Sequence, residues 1–316
     1  MSHTERTPLV AVVGPTASGK TALAVELAKA LNGEVLSFDS MQLYKGMDVA
    51  TAKPTADEMQ GIPHHLIDVV DPSETYSVAR FQEDAARIIA DIRSRGKNVI
   101  LVGGTGLYLD SFIENLRFLE TGDATEVRAR LKAELESEGP EAMYARLLTI
   151  DPDYAEGLHP NNTGRVLRAL EVYELTGYTM TYQIAQSRQE PGHYDVCYIG
   201  LTAEDRDYLY DRINLRVDRM IENGLLDEAK QWLAERPGAT AAQAIGIKEM
   251  LPYLQGEDTL EHCAEQLKID TRHYAKRQLT WFRRNPDVHW LCIDQIPDLA
   301  ALTAKALAII EEEGIL

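Results

Sequence analysis

Cysteine is scarce: Cys197, Cys263 and Cys292 are the three among 316 residues. They stand far apart and form no C-x-x-C pair, which argues against a disulfide framework or a thiolate metal site and predicts reduced, buried thiols. No run of about 18 apolar residues occurs, so no segment reads as a membrane-spanning helix. The polar start from Met1 to Pro8 lacks the apolar centre of a secretion signal, and the expected location is the cytoplasm. Internal repeats and low-complexity tracts are also missing. Positive charge is in deficit, with 32 Lys and Arg against 50 Asp and Glu, a formal net charge of −18. That balance opposes phosphate backbones at long range, although a local patch of opposite sign can override it. With 45% hydrophobic residues the chain can still build a full core, in one large or two ordinary domains.

What is present begins with Gly14-Pro15-Thr16-Ala17-Ser18-Gly19-Lys20-Thr21. The apolar run 9–13 precedes it and a helical pattern from Ala22 follows, so the G-x-x-x-x-G-K-T motif stands between a buried strand and a helix N-terminus. Glycines let the backbone curl its N–H groups inward, and the helix dipole adds positive potential. Lys20 then neutralises phosphate oxygens and the Thr21 hydroxyl ligates Mg²⁺. A second strand, 34–38, delivers Asp39-Ser40-Met41-Gln42 at its C-terminal end, the edge at which open parallel sheets hold ligands. Asp39 therefore faces the phosphate loop, or else serves as a turn cap. Residues 45–54 read as a loop with polar groups available to that site. His64-His65 lacks a third ligand at metal spacing and is expected in a loop or a satisfied core. After a helix over 77–95, the strand 98–102 ends in Gly103-Gly104-Thr105-Gly106, suited to close approach of a ligand or to a plain tight turn.

From Arg117 to about Pro191 the pattern becomes helical without buried strands, with helices over 126–138, 140–150 and 163–175. A strand at 196–201 then resumes the sheet. The simplest organisation is a parallel α/β core interrupted by a small all-helical insertion. Residues 206–223 form a helix whose Arg212, Arg216 and Arg219 recur on one face, either solvated or clamping phosphates. A longer helix starts at Leu260. Its stretch 268–284 holds six Lys and Arg against Asp270 alone, with Trp281 and Phe282 interleaved, a basic aromatic-bearing segment that suits a nucleic-acid contact. A terminal amphipathic helix follows from about Pro297.

Taken together, these residues resemble the tRNA dimethylallyltransferases (tRNA isopentenyltransferases) of bacterial type. The landmarks are Gly14–Thr21, Asp39–Gln42, Thr51-Ala52-Lys53-Pro54, Gly103–Gly106, Arg165–Glu171 and Lys276–Trp281, and they extend over nearly the whole chain. No zinc-finger extension of the eukaryotic kind is expected, in keeping with the three scattered cysteines. The resemblance implies a P-loop NTPase-like parallel sheet flanked by helices, with residues 1–116 and 193–316 as catalytic core and 117–192 as an insertion gripping the anticodon stem-loop. It implies transfer of a dimethylallyl group from dimethylallyl diphosphate to N6 of adenosine 37 in tRNA, in a monomer using Mg²⁺ held by Thr21. Asp39 would act as general base, with Thr16, Arg216 and the P-loop stabilising the leaving diphosphate. The implied tRNA contacts are Asp39, Ser40, Met41 and Gln42; Gly164, Arg165, Val166, Leu167 and Arg168; Gln243, Ala244, Ile245, Gly246, Ile247 and Lys248; and Lys276, Arg277, Gln278, Leu279, Thr280, Trp281, Phe282 and Arg283. Thr105 and Arg128 would help position the anticodon loop.

Other P-loop functions remain open at this level. A small-molecule kinase would need an arginine clamp, which Arg128, Arg130, Arg165 and Arg168 could supply. A prenyltransferase acting on free nucleotides would share the core, but AMP has no need of the long basic helix. A non-catalytic RNA-binding GTPase is disfavoured because the guanine-reading N-K-x-D motif is missing.

Overall fold

Short aliphatic runs alternating with amphipathic helices produce a parallel sheet covered on both faces. The computed structural model describes residues 6–117, 124–187, 190–234, 238 and 241–316. These residues divide into two units, Met1–Phe112 with His193–Leu316, and Ile113–Gly192.

The first unit contains, in chain order, β1 (Thr7–Val13), α1 (Lys20–Ala30), β2 (Gly33–Ser37), α2 (Ala56–Met59), β3 (His64–His65), α3 (Val78–Ser94), β4 (Asn98–Val102) and α4 (Gly106–Ile113). The second unit contributes α5 (Thr125–Glu138), α6 (Pro140–Ile150), α7 (Pro152–Glu156), α8 (Thr163–Thr176) and α9 (Met180–Ser187). The chain then returns through β5 (Tyr194–Thr202), α10 (Arg206–Glu222), α11 (Leu225–Ala234), α12 (Leu251–Leu254), α13 (Leu260–Phe282), β6 (Val288–Cys292) and α14 (Leu299–Glu313).

Among the described residues the sheet has six strands in the order β3-β2-β4-β1-β5-β6, and every pairing is parallel. Val10, Val12, Val35, Ile100 and Ile199 pack against Leu23 and Leu27 of α1 and Leu302, Ala306 and Ile310 of α14. The intervening strand residues Leu9, Ala11, Val13, Val99 and Leu101 are equally buried, so the opposite face is covered as well. Aromatic contacts Phe81–Tyr108 and Phe112–Tyr194, at 4.8 and 4.6 Å between ring centroids, join α3, α4 and β5. The sequence-based expectation of an α/β parallel core therefore holds.

Two strands escape the sequence pattern. Val288–Cys292, for which the sequence sets no expectation, adds β6 to the β5 edge. His64-His65, expected in a loop or core, forms the short edge strand β3 beside β2. His65 Nε2 lies 2.8 Å from the buried Glu34 carboxylate, which also accepts from Lys97 Nζ at 2.8 Å and from both terminal nitrogens of Arg95. The hydrogen bonds from Arg95, aided by Lys97 and His65, outweigh burial and hold the Glu34 carboxyl far below the usual range. A depressed carboxyl stabilises the fold above the unfolded-chain value and loses that contribution as pH falls toward the folded value. Glu34→Gln is accordingly expected to lower the urea midpoint at pH 7, with the gap to wild type narrowing by pH 3.

The second unit has its own core of Leu131, Met143, Leu147, Ala155, Val166, Ala169 and Leu170. Beside it, burial disfavours charge on Glu171, yet Arg128 and Arg168 hold its carboxyl below the ordinary value. Arg128 Nε donates to Glu171 at 2.8 Å, and Arg168 pairs with the same group. Arg130 and Arg146 both pair with Glu134 and Glu174. Arg128, Arg130 and Arg168, considered above as a phosphate clamp, are thus each paired with carboxylates of their own unit.

Candidate functional site

The order of the strands brings three loops to one edge. β1 lies between β4 and β5, and β2 lies beyond β4, so the turns after β1, β2 and β4 all open at the C-terminal ends of neighbouring strands. They line a cavity of about 870 Å³ that also takes in the 48–55 loop and the faces of α10 and α13.

The β1–α1 turn is tightly specified. Gly14 has φ +140°, and a Cβ there would overlap the Leu201 carbonyl oxygen. Gly19 has φ +91°, and Ala17 also adopts the left-handed region at φ +63°, a conformation disfavoured for alanine by about 1 kcal/mol or more. Outside bonds hold that shape. Arg212 Nε donates to Ala17 O at 2.8 Å, and the Thr16 N–H donates to Gln278 Oε1 at 2.8 Å. Inside the loop, Ser18 Oγ and Lys20 Nζ both donate to Pro15 O, at 2.9 and 2.6 Å. Burial, reinforced by the nearby Arg216 and only partly offset by Asp39, lowers the Lys20 pKa to about 7. Burial likewise lowers that of Arg216, against Asp39 and Glu58. Two desolvated cations, Lys20 and Arg216, thus face a cavity that also holds the carboxylates of Asp39 and Glu58.

Asp39 lines the same cavity and acts on both cations. Its Oδ1 accepts from Met41 N at 2.9 Å and more weakly from Gln42 N at 3.4 Å, so the turn fixes the carboxylate, and Oδ2 has no donor among the described residues. Thr105 Oγ1 accepts from Ser40 N at 3.0 Å and donates to Ser40 Oγ at 3.2 Å, tying the β4–α4 turn to the one that carries Asp39. Two tyrosines missed from sequence complete the surroundings. Tyr274 lines the cavity, its phenol raised well above the ordinary value by burial and by Asp39. Tyr108 is pushed up to about 12 by burial, with Tyr44 and Asp39 adding to it.

The turn at Gly103–Gly106 has a role beyond those two expectations. Its missing side chains make room for protein rather than for a ligand: Cβ atoms at positions 103, 104 and 106 would overlap the Phe38 ring, the Gln278 amide and the Trp281 indole respectively. The 48–54 loop is pinned as well. Glu228 of α11 accepts from three successive amides, Asp48 N at 2.8 Å, Val49 N at 2.7 Å and Ala50 N at 2.8 Å. Buried Lys53 donates to Tyr44 O at 2.6 Å and Asp48 Oδ1 at 2.7 Å, and pairs with Asp68. Neither Glu228 nor Lys53 carries a local motif that would announce these bonds.

A family model described as "IPP transferase" matches residues 42–285. The chain is 52% identical over 284 residues to a tRNA dimethylallyltransferase of Halalkalibacterium halodurans, covering 89% of this chain and 90% of that protein. It is 47% identical over 312 residues to one of Bacillus cytotoxicus, covering 98% and 97%. The chain belongs to the IPP transferase family. Solved structures agree: a full-length tRNA isopentenylpyrophosphate transferase from Bacillus halodurans superposes with TM-score 0.71 at 46% identity, covering 98% of each chain. A eukaryotic dimethylallyltransferase described as acting on tRNA gives 0.75 at 34% identity, covering 91% of this chain and 74% of that one.

In this IPP transferase, an enzyme of the transferase class, the residues expected at the site are placed as follows. Thr16, Ala17, Ser18, Gly19, Lys20 and Thr21 line the cavity with Asp39, Ser40, Met41, Gln42, Arg216, Ile245 and Gln278, while Gly14 and Pro15 are buried beneath the loop. Arg212 and Arg219 line it too, so the arginine face of α10 is turned to the site. On α13, Lys276, Arg277 and Thr280 are exposed, as is Arg283 just beyond it, whereas Phe282 is buried and Leu279 packs toward α10. Trp281 Nε1 donates to Asp110 Oδ2 at 2.7 Å, with Arg284 over its ring at 3.9 Å, so both aromatics of the basic segment anchor the helix. Ala244, Gly246 and Ile247 are buried and Lys248 is exposed; the Gln243 side chain lies outside the described residues. In the second unit, Gly164, Arg165 and Arg168 are exposed on α8, Val166 is core, and Leu167 packs against that core. Among the described residues no cluster of three His, Cys, Asp or Glu could hold a metal, and no helix is long and apolar enough to cross a membrane.

Proposed function

We propose that this IPP transferase moves a dimethylallyl group from dimethylallyl diphosphate to N6 of adenosine 37 beside the anticodon of its tRNA substrates, releasing diphosphate. The observation that carries the reading is a cavity lined by Lys20 and Arg216 together with the turn-fixed carboxylate of Asp39. The names of the relatives supply the reaction class.

The chemistry needs both the cations and the carboxylate. Breaking the allylic C–O bond leaves the electron pair on the diphosphate, and preorganised cations and N–H donors stabilise that charge as it develops. Lys20, Arg216, Thr16 and the first amides of α1 do this in a desolvated setting. The exocyclic N6 is a weak nucleophile because its lone pair is delocalised into the ring. Asp39 Oδ2 accepts an N6–H, orients the amine and takes its proton as the N–C bond forms. An unpaired anticodon-loop base can leave its stack for such a site at modest cost.

The donor set suits Mg²⁺: the Thr21 hydroxyl at the start of α1 would hold an ion whose other ligands are phosphate oxygens and water. When bound, the ion would add neutralising charge to the diphosphate. The exposed cations Lys276, Arg277 and Arg283, with Arg165 and Arg168 of the second unit, are the side chains we assign to the RNA backbone.

The direct test is mass spectrometry of nuclease-digested tRNA after incubation with the protein, dimethylallyl diphosphate and Mg²⁺. The expected product is N6-dimethylallyladenosine in the fragment spanning position 37. Phosphoryl transfer from ATP to tRNA or to free nucleotides, without prenylation, would reject the reading.

A further inference from the structure

The side-chain amide of Gln278 lies inside the site rather than on the basic face of α13. The residue is 5% exposed. Its Oε1 accepts the Thr16 N–H at 2.8 Å and its Nε2 donates to Gly104 O at 3.1 Å. One partner is a backbone donor and the other a backbone acceptor, so only one orientation of the amide satisfies both. The room for it comes from Gly104, where any Cβ would displace the amide nitrogen. One turn earlier on the same helix, Tyr274 lines the same cavity. The neighbouring phosphate-loop residue, Ala17, is held from α10 by Arg212. Residues 16 and 17, including the strained Ala17, are therefore fixed from outside the loop by two helices.

We propose that Gln278 is a positioning residue for the donor diphosphate, a bridge that locks the phosphate loop in its binding shape from the same helix that presents Lys276, Arg277 and Thr280 outward. This inference rests on the diphosphate reading of the loop and gives Gln278 a role apart from contact with RNA. The Thr16 N–H is engaged with Gln278, so Thr16 faces the ligand through its side chain, and the loop binds the anion without first having to order itself. Preorganisation of this kind appears in affinity for the anion, because an unlocked loop must be ordered on binding.

The test compares wild type, Gln278→Ala, Gln278→Glu and Gly104→Ala by calorimetric titration with inorganic diphosphate and Mg²⁺ in the absence of tRNA. A separate filter-binding measurement gives tRNA affinity, and thermal melting verifies folding. Alanine removes both bonds. Glutamate keeps the acceptor for Thr16 but sets a carboxylate against the Gly104 carbonyl. Gly104→Ala displaces the amide while leaving Gln278 in the sequence. Each variant is expected to weaken diphosphate binding about 10-fold, the scale of one or two lost hydrogen bonds, and to raise KM for the prenyl donor, with tRNA affinity retained. Should Gln278→Ala fail to fold, the other two variants carry the comparison. Diphosphate affinities equal to wild type, or losses confined to tRNA binding, overturn the proposal. A wild-type protein that binds no diphosphate overturns the reading of the loop itself and the proposal with it.

Discussion

Asp39→Asn is expected to lower the single-turnover rate of prenyl transfer by about 10²–10⁴-fold, the usual contribution of a positioned general base, with inorganic diphosphate binding unchanged. The variant is conservative in a specific sense. An asparagine oxygen at the Oδ1 position still accepts the Met41 and Gln42 amides, so the turn keeps its shape. What disappears is a basic second oxygen able to take a proton from N6. Asp39→Ala removes the turn bonds as well and should be at least as slow, with a looser loop. Chemical quench of enzyme saturated with both substrates separates this step from binding and product release. A single-turnover rate within experimental error of wild type would remove Asp39 as the base.

The second large effect concerns Lys20 and pH. In the free protein, burial and Arg216 lower this lysine to about 7, so above neutrality it is largely uncharged. A bound diphosphate favours the charged form and raises the pKa, so binding above pH 7 takes up a proton. Affinity for inorganic diphosphate should therefore be highest below pH 7 and fall as pH rises, approaching tenfold per pH unit until the raised pKa of the complex is reached. Lys20→Ala should flatten that dependence and cost roughly 10²–10³-fold in kcat, the scale of losing one preorganised charge partner of the leaving group. Calorimetry in buffers of different ionisation enthalpy reads the proton uptake directly. Binding with no uptake between pH 7 and 9 would contradict the assignment of Lys20 as the titrating group.

The contrast between what was legible in the sequence and what was not follows the range of the interactions. The phosphate loop, its strand and its helix are contiguous in sequence, and turn, apolar run and helical period all agree. Asp39 was placed by the general rule that parallel strands deliver ligand groups at their C-terminal ends. The basic stretch of α13 was visible as a local reversal of charge. Gln278 was expected only as an RNA contact; its bonds to the phosphate loop were not visible, because its partners Thr16 and Gly104 lie 262 and 174 residues away. Glu228 reaches the amides of 48–50 across about 180 residues. For the same reason Gly103-Gly104-Thr105-Gly106 was ambiguous: the groups that need the space belong to Phe38 and α13. Strands β3 and β6 escaped for another reason. Two histidines carry no strand periodicity, and Val288-His289-Trp290-Leu291-Cys292 is too short and mixed to stand out from a connection.

The central strand also governs how the chain reaches this architecture. β1 pairs with β4 at Val10–Ile100 and with β5 at Leu9–Val196, partners 90 and 187 residues further along. During synthesis the phosphate-loop strand is thus made well before either neighbour. The helices α5–α9 of the second unit need no distant partner for their own core and can close locally in the meantime. The second unit is expected to become native first, with β1 left unpaired on its β5 side until β5 arrives.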